Sequence, residues 1–181
     1  HKRARPQEVL AVEASPQVRK ILTELKYDFR AFTIEHFANW IETVKGRKIL
    51  LIPWHMPSGL FGAWMSDGEI PQEYIFFRKN AERLLQIHIQ LHEISHFLCG
   101  HPTKKISKAQ VKEAHKKGIA LPFDEMVRLR SPDKSVYERD AESLASLIQE
   151  QIIRNSQIEQ LTRGISSDKK IADSLKNLGL V

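Results

Sequence analysis

The stretch that decides the architecture is residues 81–100, AERLLQIHIQLHEISHFLCG. Asn80 is a favourable N-cap, Gly100 is a favourable stop, and the apolar residues between them recur at helical spacing over a wide arc. These signals predict a helix over about 81–99 that is buried on most of its surface. We therefore expect the other elements of the chain to pack around this helix.

Two helices and three strands are predicted upstream of this stretch. Ser15 and Pro16 form an N-cap and first turn, and a second amphipathic helix begins near Thr33 and ends at Gly46. Three short apolar runs between breakers are typical of strands: residues 48–54, 61–65 and 74–77. Because turn residues separate these runs, we expect a small, mainly antiparallel sheet of about three strands.

The downstream half is predicted to be helical after a long connection. Residues 101–134 are polar and rich in lysine, residues 135–154 show a helical pattern, and the tail offers two short helices broken at Gly164. The fold class is therefore α+β, with a single domain over residues 15–155. Residues 1–14 are expected to be an N-terminal lead-in and residues 156–181 a C-terminal helical extension.

Composition restricts the compartment of the protein. Cys99 is the only cysteine among 181 residues, so an internal disulfide is excluded, as is typical of a reducing compartment. No apolar run approaches the roughly 20 residues that span a bilayer, and the basic N-terminus lacks the apolar stretch of a signal peptide. We expect a cytoplasmic protein with no membrane partner.

The run His92-Glu93-Ile94-Ser95-His96 carries the strongest chemical signal. Two histidines four residues apart on a helix share a face, so both imidazoles can bind one Zn²⁺ ion. Glu93 lies about 100° around the helix, where its carboxylate can take a proton from a water molecule that zinc has acidified. The pattern predicts a zinc metallopeptidase in which Glu93 is the catalytic base. The alternative is a purely structural role, in which the two histidines are hydrogen-bonded on a buried helix without a metal.

A third ligand is expected because catalytic zinc sites use three protein ligands. Glu138 and Glu142 are four apart on the predicted downstream helix, so one can bind metal while the other holds a ligand histidine. From spacing alone, an ordinary acidic helix start explains these residues equally well. The metzincin pattern is disfavoured, because it requires glycine and histidine where this chain has Cys99 and Pro102.

Three stretches resemble the ImmA/IrrE family of metallopeptidases. Residues 74–77 (YIFF) and 91–101 (LHEISHFLCGH) are similar to that family's strand and active-site helix, and residues 138–145 (ERDAESLA) are similar to its acidic helix. The family commonly ends that helix with Met-Pro, whereas this chain continues as Ile152-Ile153-Arg154.

This resemblance implies a zincin-like domain with a gluzincin-type site. The implied zinc ligands are His92, His96 and Glu138, with Asp140 as the alternative third ligand. Glu93 would be the catalytic base, and Glu142 would hold a ligand histidine. Family members cut a regulatory partner, often a DNA-bound repressor, so the resemblance implies a role in the regulation of transcription.

A peptidase also needs a surface that binds the peptide and a group that stabilises the oxyanion. Strand 74–77 is expected to present an edge to an extended peptide. An oxyanion formed in hydrolysis also needs an electrophilic donor, and three residues are candidates. They are Tyr137, His115 and His101.

Two other classes of function compete with the peptidase. One is a zinc-containing regulatory or toxin-like module that binds a partner with little proteolysis. The other is a DNA-binding regulator, suggested by the net charge of +6. Direct nucleic-acid binding is not favoured, because the chain has no finger, aromatic RNA-binding motif or glycine-rich clamp.

Overall fold

Four short strands form one sheet, and helices cover both of its faces. The computed structural model describes residues 14–167, with the side chains of residues 14–156. The strands are β1 (Lys48–Trp54), β2 (Gly62–Asp67), β3 (Gln72–Arg78) and β4 (Lys105–Ile106). The helices are α1 (Pro16–Leu25), α2 (Ile34–Lys45), α3 (Arg83–Cys99), α4 (Lys108–Lys117), α5 (Phe123–Arg130) and α6 (Lys134–Ser167).

Local capping explains where the first helices begin and end. The Ser15 hydroxyl accepts a hydrogen bond from the Val18 N–H, and the Thr33 hydroxyl accepts one from the His36 N–H, which confirms both predicted starts. Gly46 ends α2 at a φ of 64°, a conformation that glycine adopts without strain. The prediction that Asn80 caps α3 is wrong, since Glu82 occupies the N-cap position without a side-chain bond.

The sheet is mixed, with strand order β1-β3-β2-β4. β3 turns back from β2 and inserts between β2 and β1, so it runs antiparallel to β2 and parallel to β1. β4 pairs parallel with β2 at Ser66 and Asp67. The expectation of a mainly antiparallel sheet of about three strands is therefore wrong. It assumed that strands adjacent in sequence pair with each other, whereas β1 pairs with β3.

The central place of β3 also corrects the expected peptide-binding edge. Residues 74–77 pair with strands on both sides, so they present no free edge. Among the described residues, the side of β2 facing away from β3 pairs with a strand only at Ser66 and Asp67. No described strand pairs with the rest of that side, but the Trp64 carbonyl accepts a hydrogen bond from the Thr103 hydroxyl (2.5 Å) and the Trp64 N–H donates to the Glu93 carboxylate.

Residues 101–134 are structured rather than a long connection. They contain β4, α4 and α5, and α4 begins with a capping box between Ser107 and Gln110. α6 continues through Gly164 to Ser167, so the predicted helix break there is wrong. The predicted lead-in falls mainly on residues 1–13, and the end of the predicted extension on residues 168–181, both outside the described residues.

Two apolar clusters form the core, one on each face of the sheet, and α3 packs within the first of them. On one face, Phe37 of α2, Leu91 and Ile94 of α3, and Leu144 of α6 are completely buried. On the other face, Phe76 packs with residues of α4 and α5, among them Met126. Within residues 14–167, no helix is long and apolar enough to cross a membrane. The result is one α+β domain in which α3 and α6 lie against each other.

Candidate metal centre

α3 and α6 bring together two histidines and one glutamate. His92 and His96 lie one turn apart on α3, with ring centroids 4.8 Å apart. Glu138 lies near the start of α6 and faces both rings. Its Oε2 is 3.0 Å from His92 Nε2, and its Oε1 is 3.2 Å from His96 Nε2. One ligand atom from each of the three residues lies within 4.8 Å of the others, so the group could hold a metal ion.

The donor set fits a metal better than a simple hydrogen-bonded cluster. The His96 ring is completely buried, and its Nε2 makes no hydrogen bond, although Glu138 Oε1 lies 3.2 Å away. A buried polar atom without a partner is costly unless something else satisfies it. Two imidazole nitrogens and a carboxylate oxygen are the ligand types that zinc prefers.

The carboxylate and the imidazoles alter one another's protonation. The hydrogen bond from His92 and the nearby imidazole of His96 hold the pKa of Glu138 far below its ordinary range, so Glu138 is ionised. Burial acts to lower the pKa of His92, but its hydrogen bond to Glu138 and the surrounding carboxylates raise that pKa to about 9. Burial is the largest cause that lowers the pKa of His96. The ionised Glu138 can therefore pair either with the His92 proton or with a metal cation at the same position.

Glu93 lies beside this group without belonging to it. Its side chain is 7% exposed, burial raises its pKa to about 7, and its Oε2 has no hydrogen-bond partner. Gly62 of β2 lies against it, since a Cβ at that position would come within 3.1 Å of Glu93 Cγ and overlap Ile89. A carboxyl group with this pKa can accept and return a proton near neutral pH.

Two residues outside the metal group orient its histidines. Glu142 Oε2 lies 3.0 Å from His92 Nδ1, at the position expected for the carboxylate that holds a ligand histidine. His101 Nδ1 lies 2.8 Å from His96 Nδ1, and burial lowers the pKa of His101 to about 4. His101 is therefore neutral near pH 7 and can accept a hydrogen bond from His96 Nδ1–H. That bond would direct His96 Nε2 towards the metal position.

The remaining predicted residues lie at different distances from the metal group. The Tyr137 ring packs on His101 at 4.9 Å, next to the group. Asp140 does not contribute a ligand atom to it. His115 lies in a separate cavity against Trp54, with ring centroids 5.9 Å apart, and does not line the cleft beside Glu93.

Sequence reasoning missed Arg130, the last residue of α5. It is 4% exposed and lines a cleft of about 250 Å³ together with Glu93 and Glu138. A signal for it does exist in the sequence. Phe123, Met126 and Arg130 follow helical spacing and are all buried, so Arg130 occupies a core position of an amphipathic helix. Arginine is rarely buried unless a partner balances its charge, so an arginine at a core position points to a specific contact.

Comparison of the chain with protein families, curated proteins and solved structures finds no match in any of the three.

Proposed function

We propose that this protein is a zinc metallopeptidase that makes a limited cut in a regulatory partner protein, such as a transcriptional repressor. One observation carries the proposal: His92, His96 and Glu138 converge on one point beside the buried carboxylate of Glu93. The order of residue types on α3 supports the same proposal. Two histidines four residues apart, with a glutamate directly after the first, are the arrangement of a metal-dependent peptidase.

Zinc is the metal proposed for this group because two of its three donors are imidazole nitrogens. Bound zinc supplies a Lewis acid, which makes water easier to deprotonate and a carbonyl group easier to attack. His92, His96 and Glu138 would hold it. His101 and Glu142 would keep the two imidazoles in the tautomers that present Nε2.

Glu93 performs the proton transfers in the proposed reaction. Its carboxylate takes a proton from water as the water oxygen forms a bond to the peptide carbonyl carbon, and the carbonyl π pair moves to oxygen. The C–N bond then breaks, and Glu93 gives the same proton to the leaving amine. The products are an amine and a carboxylic acid, which loses the second proton of the water to the amine or to solvent, and Glu93 returns to its ionised form. Its pKa of about 7 allows both transfers without a large energetic penalty.

The start of β2, where no described strand pairs with the side facing away from β3, suggests how a peptide would be held. Gly62 and Phe61 line the cleft beside Glu93, and an extended segment could pair with backbone groups there. Such binding suits an exposed, flexible segment of a folded protein, which favours a limited cut over general degradation. That the partner is a regulator rests on the resemblance to the ImmA/IrrE family.

The metal assignment is tested by zinc content. Protein purified without added metal is measured as wild type, as His92→Ala and as Glu138→Ala. We expect one zinc per chain in the wild type and a loss of zinc in both variants, because each removes one of three ligands. Retention of zinc by Glu138→Ala would show that the third ligand is wrong, and absence of zinc from wild type after zinc is offered would exclude the proposal.

The peptidase assignment is tested by Glu93→Gln, with Glu113→Gln on α4 as a control of the same chemistry on the exposed surface. The zinc-loaded proteins are incubated with a peptide library, and new N-termini are identified by mass spectrometry. We expect Glu93→Gln to keep zinc and lose cleavage by at least about a hundredfold, the scale of general-base catalysis. Zinc binding with equal and negligible cleavage in all three proteins would favour the non-proteolytic binding module instead.

A further inference from the structure

Arg130 is held on one side of its guanidinium and left without a partner on the other. Its Nε donates to the Pro102 carbonyl (2.6 Å), and its Cζ lies 5.6 Å from the Trp64 ring centroid. Its Nη2 is buried and has no hydrogen-bond partner. A guanidinium carries five donor hydrogens in a planar fork, so a fixed Nε and a free Nη2 leave a donor with a set direction.

The surroundings of Arg130 explain why the free donor would receive an anion. Glu93 and Glu138 line the same cleft and attract the guanidinium electrostatically, but neither makes a hydrogen bond to Nη2. A divalent cation at the metal group and the Arg130 guanidinium together carry one positive charge more than these two carboxylates. A negatively charged oxygen entering the cleft would balance that charge and satisfy the orphan donor.

We propose that Arg130 is the anion-binding residue of this cleft, donating from Nη2 to the oxygen that becomes negatively charged when water adds to the peptide carbonyl. This role rests on the proposed peptidase function and supplies the electrophilic donor that the reaction requires. The trigonal substrate carbonyl is neutral, so the bond strengthens only as charge develops. Arg130 would therefore act on the transition state more than on substrate binding.

The test is a calorimetric titration with two small probes. One is N-phosphoryl-leucinamide, which carries a tetrahedral anion, and the other is N-acetyl-leucinamide, which is neutral. Their leucine side chain suits the apolar cleft wall formed by Leu60, Met126 and Val127. Titration of the zinc-loaded full chain should show tighter binding of the phosphoryl probe than of the acetyl probe.

Arg130→Met should weaken binding of the phosphoryl probe by about tenfold to a hundredfold, the loss expected for one charge-assisted hydrogen bond, and leave the acetyl probe unchanged. Arg128→Met is the matched control, because Arg128 lies on the same helix but is exposed and does not line the cleft, and the substitution removes the same charge. Its effect should stay within about threefold, since an exposed charge acts only through a screened field. Zinc content should be unchanged in both variants.

Because Arg130 is buried, circular dichroism and thermal melting accompany each titration. Arg130→Gln provides a second variant if Arg130→Met does not fold, since its amide can still donate to the Pro102 carbonyl while it lacks the charge. Equal weakening by Arg130→Met and Arg128→Met, or no preference of wild type for the anionic probe, would overturn the role of Arg130. These results do not depend on cleavage, so a failure of the peptidase assay and a failure of this proposal remain distinguishable.

Discussion

Three buried side-chain atoms among the described residues lack a hydrogen-bond partner at a single cleft. They are Glu93 Oε2, His96 Nε2 and Arg130 Nη2, the proposed base, ligand and donor, and the fourth such atom in the described part of the chain is Arg78 Nε. Each such atom costs about 1–3 kcal/mol when it is left unsatisfied. A chain optimised only for stability would have paired or replaced them. Their concentration at one place is the strongest residue-scale argument that this cleft receives a ligand.

His101 provides a residue-scale prediction about the metal. His101→Ala should weaken zinc binding by about tenfold to a hundredfold, because His96 Nδ1 loses the partner that fixes its tautomer. Competition with a chromogenic chelator measures the affinity. His115→Ala is the control, since His115 lies in the separate cavity against Trp54. An unchanged zinc affinity in His101→Ala would contradict the orienting role.

Proton release on metal binding gives a second residue-scale prediction. His92 is protonated near pH 7 in the metal-free protein because its pKa is about 9, whereas Glu138 is already ionised. Zinc must displace the His92 proton, so binding near pH 7 should release about one proton per metal. A pH indicator in weakly buffered solution detects the release. Below the pKa of His92 the apparent zinc affinity should also fall by about tenfold for each unit of decreasing pH, and an affinity independent of pH in this range would contradict the assignment.

At the scale of elements, the close contact between β2 and α3 sets the position of Glu93. Gly62→Ala should destabilise the fold by about 1–3 kcal/mol, because the added methyl group would overlap Ile89 and crowd Glu93 Cγ. Denaturant unfolding measures the change. Gly68→Ala is the matched control: its added methyl group would meet only Lys105 Cβ, at an ordinary distance of 3.8 Å. Similar stability of the two variants would show that the contact can relax.

Local signals predicted some elements well and others poorly. The starts of α1 and α2 followed from capping residues, and α3 followed from apolar spacing. α4 was missed because its lysines face solvent and only Ala114 is buried, which leaves almost no apolar stripe. The parallel pairing of β1 with β3 could not be predicted from local signals, because it depends on how the whole sheet packs against the helices that cover it.

The candidate site shows the same division between local and non-local information. The spacing of His92, Glu93 and His96 within one helix makes their proximity predictable. From spacing alone, a metal ligand and an ordinary acidic helix start explained Glu138 equally well, and the structure places its carboxylate against both histidine rings. Arg130 required knowledge of tertiary packing, because only the placement of α5 beside β2 turns a basic residue towards the cleft.

At the scale of the whole molecule, a metal bound to α3 and α6 would tie together distant parts of the chain. His92 and Glu138 are 46 positions apart in sequence. Zinc at a hundred times its dissociation constant should add about 2.7 kcal/mol to the free energy of unfolding. Removal of zinc by a chelator should then lower the melting temperature by about 5–10 °C. Scanning calorimetry measures the shift, and His92→Ala should show none.

The division of the ligands between two helices also bears on the time at which the site comes into existence during synthesis. A growing chain that has completed α3 carries both histidines and Glu93, but it lacks Glu138 until α6 has been made. Nascent chains, and fragments that end before α6, therefore contain the whole His-Glu-x-x-His run without its third ligand. The proposed metal site would therefore be complete only after α6 has been made and has packed against α3.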